Sequence, residues 1–93
     1  MLIVGNWKAY VETLDKARRL YAAAKRIGAA GHHDVVIAPS GPHLGYLSAT
    51  NRSSVEFAAQ DISATLGGAA TGEMTAAAVA SVKASYVIVG HSE

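Results

Sequence analysis

Four short apolar runs in this 93-residue chain each give way to residues able to do chemistry. Leu2-Ile3-Val4 leads into Asn6 and Lys8, and Val35-Val36-Ile37-Ala38 leads into Ser40 and His43. Val55-Glu56-Phe57-Ala58-Ala59 is followed by Gln60 and Asp61, and Tyr86-Val87-Ile88-Val89 by His91, Ser92 and Glu93. Lys8 follows a Gly-Asn-Trp turn, where its ammonium, a compact point charge with three donors, could attract a phosphate or a carbonyl oxygen. On spacing alone, a solvated loop lysine is the commoner reading. A neutral imidazole at His91 can donate a hydrogen bond to a developing enolate oxygen and act as an electrophile. A core-edge histidine satisfied by backbone groups fits that position equally well.

The remaining polar features carry less. His32 and His33 sit beside Gly31 at the opposite end of the strands and read as surface. His43 reads as exposed in the first turn of a short helix, and Trp7 as packing beneath its loop. No pair of histidines or carboxylates has a spacing that demands a metal. The glycine-rich stretch Gly67-Gly68-Ala69-Ala70-Thr71-Gly72-Glu73 lacks both the GK[ST] ending of a phosphate loop and the G-x-G-x-x-G pattern.

The elements that must position these residues follow from periodicity. Each apolar run reads as a strand buried on both faces. Thr13 can cap a helix in which Leu14, Ala17, Tyr21, Ala24 and Ile27 recur on one face, with Gly28 and Gly31 as its stop. Ser40 as cap and Pro42 in the first turn open a shorter helix through about Ala49. A glycine-bearing loop over residues 62–72 precedes Thr75, which caps a helix to about Ala84 with Met74, Ala78, Val79 and Val82 on one side. Strands alternating with helices imply parallel pairing through right-handed crossovers, hence an α/β class. In such folds the C-terminal strand ends share one side of the sheet, where ligands and chemistry gather. Continuous apolar strands fit either helices on both sheet faces or a closed barrel.

Composition bounds the rest. Eight Lys and Arg against seven Asp and Glu give a net charge of +1, which argues against a nucleic-acid binder. Apolar content of 51% argues against disorder, and the absence of cysteine excludes disulfides and thiolate metal sites. No window approaches the ~20 apolar residues of a spanning helix, and the N-terminus lacks the features of a secretory signal. A soluble, cytoplasmic, single-domain piece is the expectation.

Together, Gly5-Asn6-Trp7-Lys8, Ala59-Gln60-Asp61, Gly68-Ala69-Ala70-Thr71-Gly72-Glu73 and Val87-Ile88-Val89-Gly90-His91-Ser92-Glu93 resemble the triosephosphate isomerase family. The motifs span residues 2–93 in the family's order. GNWK is commonly continued by Met-Asn in that family, whereas Ala9-Tyr10 stand here, outside the matched residues. The resemblance implies a parallel (β/α)8 barrel of ~250 residues, of which residues 1–93 would be one partial domain with the first four strands and three helices. A chain stopping inside the last motif, before the helix due after the fourth strand, is expected to be a fragment.

By the same resemblance, Asn6 and Lys8 would bind a small phosphorylated triose, with Lys8 acting through its charge. His91 would be the neutral electrophile polarising the substrate carbonyl, and Glu93 an active-site neighbour. Thr71, Gly72 and Glu73 would belong to an interface loop reaching a second subunit, which implies a homodimer. The implied activity is the interconversion of dihydroxyacetone phosphate and D-glyceraldehyde 3-phosphate, in glycolysis and gluconeogenesis, without metal or organic cofactor. The family's general base is a glutamate carried later in the barrel, so these 93 residues alone are expected to be inactive. Two other readings stand beside this one. They are a flavodoxin-like domain holding a phosphorylated ligand, and a non-catalytic interaction fragment with open strand edges.

Overall fold

In the computed structural model, residues 1–62 and 72–89 are described. Their order is β1 (Leu2–Asn6), α1 (Leu14–Ala29), β2 (Asp34–Ala38), α2 (Gly41–Ser48), β3 (Glu56–Ala59), α3 (Ala76–Ser81) and β4 (Tyr86–Val87). The four strands form one parallel sheet in sequential order, with Leu2 opposite Asp34, Val36 opposite Glu56 and Ala58 opposite Tyr86. This is the expected α/β alternation, each strand joined to its parallel neighbour through a crossover.

Local chemistry starts the helices where the sequence indicates. Thr13 and Thr75 are extended at the N-caps of α1 and α3, their hydroxyls accepting from the backbone N–H groups of Lys16 and Ala78. Ser40 occupies the N-cap of α2 without bonding the helix backbone through its side chain. Its Oγ lies 3.3 Å from Nδ1 of His43, which is half-buried rather than exposed.

The helix ends meet expectation at Gly31 and depart from it elsewhere. Gly28 does not stop α1 but lies buried inside it, where a Cβ would stand 2.9 Å from Ser54 Oγ. The reversal falls at Gly31, whose φ of +79° suits glycine. Ile27 is exposed and Gly28 takes its place on the packed face with Ala17 and Ala24. α3 ends at Ser81 rather than near Ala84, because Lys83 turns left-handed at φ +68° and closes it. Val79 is the buried residue of α3, while Ala78 faces out.

All three helices pack on one face of the sheet. Ala17, Ala24, Leu44, Leu47 and Val79 from the helices meet Val35, Ile37, Phe57 and Ala59 from the strands. The period-2 alternation of the strands sends Val36, Ala38 and Ala58 to the other face, joined by Ile88 and, among the described residues, by no helical one. A doubly wound domain would carry helices on both faces; one helical layer over a parallel sheet is the layering of a (β/α) barrel.

The outer strands correct a second expectation. β2 and β3 are buried on both faces, but Leu2, Ile3 and Val4 of β1 are exposed, as are Tyr86 and Val87 of β4. These are the edges of the described sheet, so an apolar run that reads as doubly buried has a strand neighbour on one side only. β4 spans two residues rather than four, although Ile88 N–H still bonds Ala59 C=O at 2.9 Å.

Candidate functional site

Because all four strands are parallel, their C-terminal ends share one edge, and a polar brace is built there. β1 ends at Asn6, and Trp7 N–H extends the pairing with β2 by donating to Ala38 C=O at 3.1 Å. Lys8 N–H then turns back to Asn6 Oδ1 at 2.9 Å, an Asx turn that fixes the asparagine side chain. Gln60, the first residue past β3, donates through Nε2 to Lys8 C=O at 2.8 Å and to Ala38 C=O at 2.9 Å. One amide thus ties the loop after β1 to the ends of β2 and β3.

That brace explains the backbone of Lys8. Its φ of +49° is left-handed, which costs a residue with a Cβ roughly 1–2 kcal/mol. Lys83 shares the sign of φ for an ordinary reason, closing α3 with its N–H bonded to Ala80 C=O at 3.0 Å. Lys8 ends no helix. It is clamped at its N–H by Asn6 and at its C=O by Gln60, so the surrounding bonds over-determine a strained conformation. Its side chain is exposed at the strand-end edge beside Asn6. Trp7 packs its ring against the helix-side core, as the sequence suggests, which leaves the loop's polar groups outward.

Of the expected site residues, Asn6 and Lys8 are brought together. Gly72 takes a φ of +82° and Glu73 is exposed just ahead of the α3 cap. His91, Glu93 and Thr71 lie outside the described residues, as does most of the glycine-rich stretch. β4 is parallel to β1, so its C-terminal end points to the edge that carries Asn6 and Lys8. The positioning role of Gln60 was not assigned from sequence. Its signal was its place, directly after an apolar run as Asn6 is, but its reach to Lys8 depends on three strands being adjacent.

At the opposite end, His33 is half-buried rather than a plain surface residue, with Nδ1 enclosed and unbonded among the described residues. No group of three or more His, Cys, Asp or Glu able to hold a metal occurs among the described residues. No described helix is long and apolar enough to cross a membrane. The strand-end edge therefore offers a fixed amide side chain and an exposed lysine on a clamped backbone, chemistry suited to an oxyanion or phosphate ligand.

Comparison with known proteins agrees over the whole chain. The family model described as Triosephosphate isomerase matches residues 1–93. A protein of Hahella chejuensis named Triosephosphate isomerase is 42% identical over 93 residues, covering 99% of this chain and 37% of its own length. One of the same name from Cupriavidus necator is 41% identical with the same coverage. A protein of Gracilaria gracilis named Triosephosphate isomerase, cytosolic, is 41% identical over 90 residues, covering 95% of this chain and 36% of its own. The chain thus spans little more than a third of the length of these relatives.

Proposed function

Since this chain belongs to the triosephosphate isomerase family, we propose that it supplies the first four strands of a (β/α)8 isomerase acting on dihydroxyacetone phosphate and D-glyceraldehyde 3-phosphate. Residues 1–93 are one partial domain of that barrel. The observation that carries the reading is the clamped, left-handed Lys8 beside Asn6 at the strand ends. A cation whose backbone is clamped at the strand ends can meet the substrate's anionic group and the carbonyl oxygen on which charge develops. Such preorganisation gains most when charge builds up in the transition state.

In this reading Asn6 and Lys8 bind the phosphorylated triose, and His91 donates a hydrogen bond to its carbonyl oxygen as the enolate forms. Glu93 neighbours that array. Proton transfer between the two carbons also needs a general base, assigned to a glutamate in the remainder of the barrel, so the 93 residues alone are inactive. Thr71, Gly72 and Glu73 form the loop that reaches a second subunit of a homodimer. The near balance of charge supports a small-molecule substrate over a nucleic acid. The cytosolic relative supports placement in the cytoplasm, in glycolysis and gluconeogenesis.

The test is a chimera joining this chain in frame to the portion of the Hahella chejuensis relative that it does not cover. The chimera is expected to isomerise triose phosphates and the 93-residue chain to show no turnover. Lys8→Ala in the chimera should lower kcat/KM by at least about 100-fold, the scale of losing a charge-assisted contact strengthened in the transition state. Wild-type kinetics in that variant would remove Lys8 from the site, and a folded but inactive chimera would count against the activity.

A further inference from the structure

The end of the sheet away from Asn6 and Lys8 carries a cleft that the isomerase reading does not use. It lies between the second half of α1 and the connection from α2 to β3, has a volume of about 490 Å3, and is lined by Tyr21, Lys25, Thr50, Arg52 and Ser53. Two cations and no acid line it, and no carboxylate pairs with either cation among the described residues. α1 adds to the positive potential, with Lys16, Arg18, Arg19, Lys25 and Arg26 against Asp15.

The cleft is built rather than incidental. Asn51 Oδ1 accepts from the Tyr21 hydroxyl, from Ser53 N–H at 3.1 Å and from the Ser53 hydroxyl at 2.6 Å. Its Nδ2 donates to Val55 C=O at 2.7 Å, so both ends of the amide are committed. That hub fixes the turn presenting Thr50 and Arg52 and ties it to α1. Lys25 is oriented as well, its ammonium 4.6 Å from the centroid of the Tyr21 ring. The Tyr21 and Ser53 hydroxyl protons go to Asn51, which leaves donation to the Lys25 ammonium, the Arg52 guanidinium and the Thr50 hydroxyl. A forked guanidinium and a point ammonium lining one cleft suit a tetrahedral, multiply charged oxyanion, and an ordered turn spares the ligand the cost of ordering it.

We propose that this cleft binds a small phosphorylated molecule, at a site separate from the strand-end site. A volume of this size lies in the range of small-molecule pockets and admits more than a bare ion.

The test is a titration of the 93-residue chain, followed by amide chemical shifts at low ionic strength. Inorganic phosphate is added first and glycerol 3-phosphate second, with sodium chloride at matched ionic strength as control. Saturable shifts at Tyr21, Lys25 and residues 50–53 are expected, tighter for glycerol 3-phosphate and independent of any change at residues 6–8. Lys25→Gln and Arg52→Gln each alter an exposed side chain and should weaken binding about tenfold, whereas Lys8→Gln should leave it unchanged. No saturation, shifts reproduced by chloride, shifts that survive both substitutions, or cleft shifts that vanish with Lys8→Gln would each overturn the proposal.

Discussion

Lys8 is where backbone strain and side-chain chemistry coincide. Its left-handed φ is held by Asn6 Oδ1 on one side and Gln60 Nε2 on the other. Replacing it with glycine should relieve roughly 1–2 kcal/mol of strain, less about 0.5–1 kcal/mol for the added freedom of the unfolded chain. Lys8→Gly is therefore expected to stabilise the chain by about 0.5–1 kcal/mol in urea denaturation while abolishing turnover in the chimera. A loss of stability would mean that the lysine side chain, not its φ, governs the energetics there. Asn6 and Lys8 were legible as candidates because polar residues directly after an apolar run stand out. The Gln60 brace was not, since an amide's hydrogen-bond partners depend on which strands lie side by side.

Among the elements, α1 shows how two nearby glycines can serve opposite ends. Gly28 is helical and buried against the turn before β3, whereas Gly31 is left-handed in open space. Gly31→Ala should destabilise by about 1–2 kcal/mol, because alanine resists positive φ. Gly28→Ala would gain up to about 1 kcal/mol in helix propensity, opposed by the approach to Ser54 Oγ. Ser54 is exposed and its hydroxyl can turn aside, so this variant is expected to be neutral or slightly stabilising. Denaturation midpoints of the two variants should therefore move apart, and equal losses would refute the distinction. The contact of α1 with α2 includes Arg18 Nη2 donating to Tyr46 Oη at 2.6 Å, and that hydrogen bond raises the Arg18 pKa above its ordinary value. The sequence located the starts of α1 and α3 well, because a threonine cap is a local signal. It placed the reversal after α1 at Gly31 but took Gly28 into the stop and ran α3 past Ser81, because the packing of Gly28 on Ser54 and the pairing that follows Lys83 join segments distant in sequence.

For the whole molecule, the exposed edges matter most. Leu2 and Val4 are 55% and 52% exposed on β1, and Val89 is 78% exposed just beyond β4. Such edges offer unpaired backbone groups beside apolar side chains, a template for a further strand. The 93-residue chain is expected to self-associate in sedimentation experiments, and Val4→Lys with Val87→Lys should reduce that association. A strictly monomeric wild-type chain at tens of micromolar would refute this.

Sequence alone determined the alternation of strand and helix, the parallel class, the family resemblance and the grouping of polar residues at strand ends. Those follow from local periodicity, capping chemistry and short motifs, each of which acts within a few residues. Only the tertiary structure decided that the three described helices cover one face, that β1 and β4 are the edges of the described sheet, and that Gln60 locks Lys8 into a strained turn. Each of these depends on which distant segments pack side by side, a relation that no local pattern of residue types contains.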